Sequence, residues 1–565
     1  GPRARGPAPP TLPNPLRPAG MGGARGGGGG GGGVGQFPGL MAPLGAARRP
    51  RRVRLARGEV PAGLRGTYLR NGPDARWGAL FPNAQHWFDG DGMVHWVALD
   101  GGEDAEYGSA YVETQGFREE ERAGKAKYCG LLQSPILPLV MWGFWSKLRN
   151  AVAGPDRPYW VIQQKNTANN GLVRTGSGRL LATYEAGSAY EIRLVREGGQ
   201  TRLDTLGVYR PGGGRAEGDG EDGYSHWLHN FTAHSKVCPA TGELIFISYD
   251  LIGKRFHVGV VGPDDSLRSL QTFEYPNGTS TMMHDFAITE SRVLIMNHPL
   301  NFNLEQSMAG GVPFTYDKSA ASNFGIIRRS SLTAAAGPLE PEIQWIEAEN
   351  CYCYHTLAAF DDPEDSDLVH LYAHRTEETG GLGLATFKDA SGNVAEALPG
   401  QSGRIDNPRL HRWCLRTGAG AQVVESRNEC PFYSDFPEIN PQFVGRGRVR
   451  FGYSLRLSET AAIGEVPLFD AVLKHDLERS TCEVLPLQEG RVAGDITFVP
   501  DAGRAGQEDG GWLLFMSHSL GGDKGWLEII DCACFADGPV ASFELPHVPI
   551  GFHSTWVPPE ATAAR

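Results

Sequence analysis

Four histidines in this sequence have similar surroundings and lie far apart along the chain. His234, His284, His355 and His553 each sit beside a β-type run or a turn, with small or apolar neighbours. Successive members are separated by 50, 71 and 198 residues, as in metal sites that take one ligand from each of several strands. Neutral imidazole suits a divalent transition metal such as iron, and acidic residues are available to orient the rings. We therefore interpret these four histidines as one iron site.

Other metal and nucleophile motifs are weaker. His226 and His229 are spaced like a local metal pair, but they lie in a predicted loop beside the Gly- and Asp-rich segment 211–223. The sequence contains no H-E-x-x-H zinc motif. It also lacks a G-x-S-x-G turn of the type that presents a serine nucleophile, which argues against a hydrolase.

The nine cysteines do not indicate a disulfide framework, because they are few for a chain of 565 residues. Two C-x-C pairs are present, Cys351 with Cys353 and Cys532 with Cys534, and neither has a partner pair at zinc-finger spacing. We expect reduced and mostly buried cysteines, which suit a cytosolic or plastid interior.

The composition favours an all-β fold. The chain contains 76 Gly and 39 Pro with abundant aromatic residues, a mixture typical of many short strands joined by turns. Short β-type runs recur from residue 158 onward, as at 244–249 and 513–516, and Gly, Asp, Asn and Pro separate them. No clean repeat of about 40–50 residues is visible, so periodicity alone does not assign a propeller.

Residues 1–58 are predicted to be a disordered basic segment, separate from a single folded domain at 59–565. They contain ten Arg, no Lys and no acidic residue, with a glycine run at 26–33. Such a segment buries too little apolar surface to offset its ordering entropy. Arg-rich, acid-free N-termini are similar to organelle transit peptides, so we expect a plastid location. A disordered tail without targeting information, on a cytosolic protein, is the alternative.

The rest of the chain is acidic. The whole sequence has a formal net charge of −12, which leaves about −22 on residues 59–565 once the ten arginines are set aside. Nucleic-acid binding requires a basic face, so we expect no nucleic-acid partner.

One segment departs from the strand pattern. Residues 131–149 are largely apolar, are interrupted by Pro135 and Pro138, and are too short to span a bilayer. We expect peripheral contact with a membrane, with Trp142 and Trp145 at the level of the lipid headgroups. A buried helix or the lining of a tunnel is the alternative.

Several further motifs resemble those of the carotenoid cleavage dioxygenase family, in particular its plant-like and algal plastid members. The resemblance extends from residue 61 to residue 558, and the number and order of the motifs make it specific, although each is weak alone. The motifs are Arg70-Asn71-Gly72-Pro73, residues 86–95, Lys165 to Asn169, Leu180 to Glu185, Thr232 to Lys236, Met283 to Glu290, Phe469 to Lys474 and Gly551 to Trp556.

This resemblance implies a seven-bladed β-propeller with a helical or loop cap over the face that carries the iron. In such proteins one Fe(II) per chain sits on the propeller axis, held by four histidines that correspond to the four identified above. Three carboxylates hydrogen-bond to the ligand rings, and they map onto Glu185, Asp435 and Asp495.

Three positions depart from the family pattern. Asp435 and Asp495 stand where the family usually has Glu, which keeps the charge but shortens the side chain by one methylene. We expect the local backbone to move in, a water to bridge, or the ring orientation to loosen, and changes of this kind typically cost about 10–100-fold in affinity or activity. The family also has Asn three residues after its third histidine ligand, where this chain has Ala358.

The function implied by the resemblance is that of an iron-dependent dioxygenase. Such an enzyme cleaves a C=C double bond of a carotenoid or apocarotenoid with O2 to give two carbonyl products, while the protein supplies orientation and a dry pocket. A stilbene-cleaving enzyme on the same iron site is an alternative, with Lys125 or Lys127 engaging the phenol. Isomerisation of a retinoid-like ester and a non-catalytic propeller acting as a binding scaffold are further alternatives.

Overall fold

The computed structural model describes most of the chain after residue 38, and strands dominate it. The predictions for residues 1–38, for the apolar run 131–149 and for the pair His226 and His229 lie outside the described residues. No helix in the described part is long and apolar enough to cross a membrane. The described residues are 39–78, 87–128, 130, 165–211, 231–250, 254–303, 305, 314–333, 342–377, 379, 385–388, 394–396, 407–463 and 466–564.

Most strands belong to seven sheets, which we number as blades 1 to 7. Blade 2 consists of Leu172–Arg174, Leu180–Ala182, Tyr190–Glu197 and Gln200–Val208; blade 3 of Lys236–Val237, Leu244–Asp250, Arg255–Val261 and Leu267–Glu274; and blade 4 of Phe286–Ile288, Arg292–Asn297, Ser322–Arg328 and Ile343–Ala348. Blade 5 consists of Tyr352–Asp361, Leu368–Thr376, Arg409–Arg416 and the first part of Gln422–Glu438; blade 6 of the last part of that strand, Phe451–Ile463, Val466–Asp476 and Thr481–Pro486; and blade 7 of Arg491–Pro500, Gly511–Ser519, Gly525–Asp531 and Pro539–Leu545. Neighbouring strands within these blades are antiparallel.

Blade 1 joins the two ends of the chain. Its first strand, Ser554–Val557, comes from the C-terminal end and pairs antiparallel with Gly66–Arg70 from the N-terminal part. Asp91–Leu99 and Asp104–Tyr111 complete the blade. The ring of blades is therefore closed by strand pairing between the beginning and the end of the chain.

The predicted start of the folded domain at residue 59 is wrong. Strand Arg48–Gly58 pairs with Asp104–Tyr111 of blade 1 and with Pro539–Leu545 of blade 7. Its arginines are mostly exposed, whereas Val53 is buried and Leu55 is partly buried. Apolar side chains at every second position are what a half-buried strand requires, and the high arginine content concealed this alternation.

Other elements lie outside the seven blades. Helix α1, Gln115–Ala123, begins after Thr114, whose hydroxyl accepts from the N–H of Phe117, and ends at Gly124 in the left-handed conformation. The remaining elements are the helix Arg329–Leu332; the 3₁₀ helices Gly39–Met41, Trp87–Asp89, Pro441–Phe443, Ala502–Arg504, Cys532–Asp537 and Pro559–Ala561; and the sheet of Leu300–Phe302, Phe314–Asp317, Ala385–Lys388 and Val394–Glu396. Two short strands pair with blade strands: Pro73–Asp74 runs antiparallel to Asp91–Leu99 of blade 1, and Ala563–Ala564 runs parallel to Tyr190–Glu197 of blade 2.

The hydrophobic core is divided among the gaps between neighbouring blades. A separate cluster of buried apolar side chains fills each gap around the ring. Between blades 5 and 6, for example, Phe360 and Tyr372 share a cluster with Ile439 and Leu473. Each sheet therefore buries both faces, which explains why many of its strands are continuous apolar runs.

The first strand of every blade lines one central cavity of about 300 Å³. Lining residues come from Leu172–Arg174, Lys236–Val237, Phe286–Ile288, Tyr352–Asp361, the end of Gln422–Glu438, Arg491–Pro500 and Ser554–Val557. The seven first strands thus surround a common axis, and side chains at their starts meet there.

Candidate metal centre

Each of the seven blades contributes one polar side chain to a group of four imidazoles and three carboxylates around the axis. The histidines lie in or just before the first strands of blades 1, 3, 4 and 5, and are His553, His234, His284 and His355. The carboxylates belong to blades 2, 6 and 7, and are Glu185, Asp435 and Asp495. These are the seven residues that the sequence analysis assigned to the site, and the structure brings all of them together.

The four imidazole rings converge on one centre. One nitrogen from each ring lies within 4.8 Å of those of the other three, and Nε2 of His234 is 3.1 Å from Nε2 of His284. The ring centroids of His234 and His553 are 4.4 Å apart, and those of His355 and His553 are 5.3 Å apart, with ring planes at 77° and 78°. The rings therefore present their edges to a shared point and do not stack.

Two carboxylates hold their rings directly. Glu185 Oε2 accepts from His284 Nδ1 at 3.0 Å, and Asp435 Oδ1 accepts from His355 Nδ1 at 2.8 Å. Because Nδ1 carries the proton in both rings, Nε2 keeps its lone pair for a metal. Nε2 of His355 is buried and has no hydrogen-bond partner among the described residues. Such an atom is costly unless a ligand engages it, so the donor set fits a divalent transition metal.

Asp495 is placed differently. Its Oδ2 lies 3.6 Å from Nδ1 of His553, beyond the usual hydrogen-bond range. The same oxygen accepts from the N–H of Ser554 at 2.7 Å and from the Ser554 hydroxyl at 3.0 Å. That hydroxyl in turn accepts from Thr497 at 2.6 Å. The blade 7 carboxylate is therefore bonded to the chain beside the ligand and is not bonded to the ligand ring.

Backbone strain accompanies the site. Thr232 and Phe436 have φ angles of 42° and 55°, in the left-handed region that residues other than glycine rarely adopt. Phe436 directly follows Asp435 at a shift in strand register. This turn in the strand accompanies the direct bond that the short Asp435 side chain makes to its histidine. The Phe436 ring also lies 5.4 Å from the His355 ring and 5.3 Å from the His553 ring, centroid to centroid.

The Arg-Asn-Gly-Pro motif near the N-terminus positions His553. The N–H of Asn71 donates to the carbonyl of His553 at 2.9 Å, and the carbonyl of Asn71 accepts from the N–H of Phe552 at 2.9 Å. Arg70 is buried against Gly551, where a Cβ would lie 2.6 Å from the guanidinium. Glycine is therefore needed at residue 551 for the ligand-bearing segment to approach Arg70.

An ion pair with a buried carboxylate, which no sequence motif indicated, links three ligand-bearing segments. Asp285 Oδ1 lies 2.8 Å from Lys236 Nζ, and Oδ2 accepts from the N–H and the hydroxyl of Thr356, both at 2.8 Å. These residues follow the ligands of blades 4, 3 and 5 by one or two positions. Burial opposes the charge on Asp285, but Lys236 and the Thr356 N–H hold its pKa below the usual value. A polar residue shortly after each ligand was the signal available in the sequence.

Burial sets the protonation of the rings, with one exception. Burial lowers the pKa of His234 well below its usual value, and the neighbouring histidines lower it further. Burial also lowers the pKa of His553, by more than Asp495 raises it. At His355 burial is outweighed by the charge and hydrogen bond of Asp435, so the pKa of this histidine is raised and that of Asp435 is lowered. His234 and His553 are therefore neutral near pH 7, as metal ligation requires.

Comparison with known protein families gives one match along nearly the whole chain. The family model RPE65, described as retinal pigment epithelial membrane protein, matches residues 41–558. A carotenoid 9,10(9′,10′)-cleavage dioxygenase 1 of Arabidopsis thaliana is 30% identical over 535 residues, which cover 92% of this chain and 89% of that protein.

Two solved structures share the fold. A lignostilbene dioxygenase of Pseudomonas brassicacearum superposes with a TM-score of 0.70 at 21% identity and covers 93% of this chain and 99% of its own. A cobalt-substituted apocarotenoid oxygenase of Synechocystis gives 0.69 at 24% identity, covering 91% and 97%. These similarities confirm the predicted β-propeller.

Proposed function

We propose that this chain, which belongs to the RPE65 family and is a carotenoid cleavage dioxygenase, holds one Fe(II) on its four histidines and cleaves a C=C double bond of a carotenoid or apocarotenoid with O2. The products are two carbonyl compounds. The family model covers most of the chain, and the name of the Arabidopsis thaliana relative supports the substrate class.

The convergence of four buried imidazoles carries the proposal. An aqueous ferrous ion would exchange water for four neutral nitrogen donors and keep its double positive charge. The two rings bonded to Glu185 and Asp435 are fixed with Nε2 directed at the centre. A donor set of this kind leaves coordination positions open, unlike the closed set of a structural site.

The residues of this chain would supply orientation and a water-poor environment. Bound Fe(II) would supply the activation of O2, which amino-acid side chains do not provide. Glu185 and Asp435 keep the ring protons on Nδ1, so these rings cannot turn away from the centre. Phe436 covers the edge of the centre at His355 and His553 and limits access of water to that side.

A stilbene substrate is the second candidate, and only the fold similarity to the lignostilbene dioxygenase favours it. In this alternative Lys125 or Lys127 engages the phenol. Lys127 Nζ instead pairs with Glu119 of helix α1 at 3.0 Å, and neither lysine is among the described residues that line the central cavity. The carotenoid class is therefore preferred.

We further propose that residues 131–149 contact a membrane peripherally and that the protein acts in a plastid. The first rests on the two tryptophans of an apolar run, the second on the arginine-rich, acid-free segment at residues 1–58. Flotation with liposomes, comparing the protein with a W142S/W145S variant, tests the membrane contact. Import into isolated chloroplasts tests the location.

The decisive experiment is aerobic incubation of the Fe(II)-loaded protein with carotenoids, apocarotenoids and stilbenes, followed by mass spectrometry. We expect paired aldehyde or ketone fragments from a carotenoid, with label from ¹⁸O₂ in both products. The masses of the fragments identify the bond that is cleaved. Phenolic aldehydes from stilbenes alone would favour the second candidate.

A matched pair of histidine variants completes this experiment. His284→Ala removes a proposed ligand and should abolish both iron retention and turnover. His257→Ala removes a histidine whose ring bonds to Thr272 on the surface of blade 3 and should change neither. Full iron content and full activity in the His284 variant would contradict the site assignment.

A further inference from the structure

A second group of metal-binding side chains lies between blades 5 and 6, apart from the histidine centre. Cys430, His475 and Cys482 each offer one donor atom, and the three donors lie within 4.8 Å of one another. Cys430 lies on the long strand Gln422–Glu438. His475 and Cys482 face each other across two paired strands of blade 6. Sequence spacing gave no sign of this group, because its members are 45 and 7 residues apart.

The histidine of this group is oriented as metal-ligating histidines are. Nε2 of His475 is 2.8 Å from the hydroxyl of Ser454, and both residues are buried. This bond fixes the ring and leaves Nδ1 for a metal. Ser454 belongs to the neighbouring strand of the same blade, so the orientation is set by the sheet and not by a loop.

The two thiols lie in contact with each other. This contact lowers the pKa of Cys430 in spite of burial, with a further lowering from His475, whereas the same contact and burial raise the pKa of Cys482. Cys430 is therefore the thiolate of the pair, and Cys482 loses its proton when a metal binds. A thiolate, not a thiol, is the form that ligates. Cys430 is buried whereas Cys482 is only partly buried, so an ion can enter from solvent and a fourth position is open to water.

We propose that Cys430, His475 and Cys482 bind one zinc ion, with water as the fourth ligand. Zn–S bonds of about 2.3 Å and Zn–N bonds of about 2.0–2.1 Å place tetrahedral donors closer together than the span found here, so binding requires only a small contraction. Thiolates favour soft metals such as zinc, whereas imidazoles alone bind several divalent transition metals, iron among them. The two centres therefore differ in the metal that their ligands prefer.

The proposed role of the zinc is to fasten the outer edge of blade 5 to that of blade 6. Cys430 lies on the strand that crosses from one blade to the next, and Cys482 lies on the last strand of blade 6. The crossing strand also carries Asp435, which bonds to His355. Zinc would thus fix the strand that orients one ring of the histidine centre.

The test is metal analysis of the iron-loaded full-length protein, purified under reducing conditions and dialysed with zinc. We expect one zinc per chain beside the iron, and X-ray absorption at the zinc edge should show two sulfur ligands. Cys430→Ser and Cys482→Ser should lose the zinc and keep the iron. Cys534→Ser is the control, because this exposed thiol lies outside the group, and it should retain both metals. Ser454→Ala should weaken zinc binding about 10–100-fold.

Three results would overturn the proposal. Zinc retained by both cysteine variants but lost from Cys351→Ser would place the ion at His298, Cys351 and Cys353, the other Cys₂His group among the described residues. Zinc without sulfur ligands would place it among the four histidines. A disulfide between Cys430 and Cys482 in the reduced preparation would exclude the ion. If a serine variant does not fold, cobalt substitution of the unaltered protein decides, since thiolate-to-cobalt absorption appears only if the cysteines ligate.

Discussion

The two sides of the histidine centre differ in how closely their carboxylates contact the ligand rings. On the side of blades 3 to 6, the ion pair of Lys236 with the buried Asp285 ties the ligand segments together, and Asp435 bonds to its ring at 2.8 Å. On the side of blades 7 and 1, Asp495 stops 3.6 Å from the ring of His553. The pKa values follow this difference, because the pKa of His355 is raised and that of His553 is lowered.

The comparison shows that one substitution had two structural outcomes. Asp replaces the Glu of the family pattern at both positions. At residue 435 the strained Phe436 turns the strand at the carboxylate. At residue 495 the N–H and hydroxyl of Ser554 take the carboxylate oxygen instead. The reach of a side chain is therefore decided by its backbone and by competing donors as well as by its length.

The largest effect is expected on stability, when the ion pair between Lys236 and Asp285 is broken. Lys236→Met leaves the buried carboxylate of Asp285 without its charged partner, so the free energy of unfolding should fall by about 3 kcal/mol. Chemical denaturation measures this change. The control is Lys524→Met, because the Lys524–Glu544 pair is half exposed and should contribute less than about 1 kcal/mol. Equal losses of unfolding free energy in Lys236→Met and Lys524→Met would show that the Lys236–Asp285 pair does not stabilise the ligand segments.

A pair of isosteric variants tests the difference between the two aspartates. Asp435→Asn removes the charge that orients His355 and should weaken iron binding about 100-fold, whereas Asp495→Asn should cost about 10-fold. Iron dissociation constants from competition with a chelator give both values. If Asp495→Asn weakens iron binding more than Asp435→Asn does, Asp495 contacts His553 more closely than the 3.6 Å separation indicates.

Replacing each aspartate with the longer glutamate should have opposite effects at the two positions. In Asp495→Glu the added methylene lets the carboxylate reach the His553 ring, so iron retention and turnover should rise. In Asp435→Glu the bond already exists, and the extra volume in a packed site should lower stability by about 1–3 kcal/mol. Turnover and melting temperature of the two variants, measured in parallel, decide the point. Higher turnover and a higher melting temperature in both variants would mean that the direct bond from Asp435 to His355 is strained.

The smallest effect is expected on iron affinity, when the Ser554 hydroxyl that competes with His553 for Asp495 is removed. Ser554→Ala removes one of the two bonds that hold Asp495 away from His553, and the backbone N–H keeps the other. Iron affinity should increase by about two- to threefold, the equivalent of part of one net hydrogen bond. Thr497→Val, which removes the donor to the Ser554 hydroxyl, serves as the comparison. A large loss of affinity in Ser554→Ala would assign this hydroxyl a direct role at the metal centre.

The sequence predicted the parts of the molecule that motifs identify. It indicated the all-β propeller, and the seven site residues are brought together as expected. It did not predict the strand at residues 48–58, because charge content outweighed an alternating pattern. Nor did it predict the Lys236–Asp285 pair or the group formed by Cys430 and Cys482. Both depend on which blades are neighbours and in what register, and no local spacing in the chain records this.

The closing of blade 1 has a consequence for how the protein is made. Gly66–Arg70 can pair with Asp91–Leu99 soon after both are synthesised, but its other edge stays unpaired until Ser554–Val557 follows, because Thr67 pairs with Val557. His553 directly precedes that strand. The centre can therefore receive three ligands before Ser554–Val557 is made and its fourth only together with this strand, so a chain cut short before His553 cannot complete it. Completion of the metal centre thus reports that synthesis has passed residue 553 and that blade 1 can close.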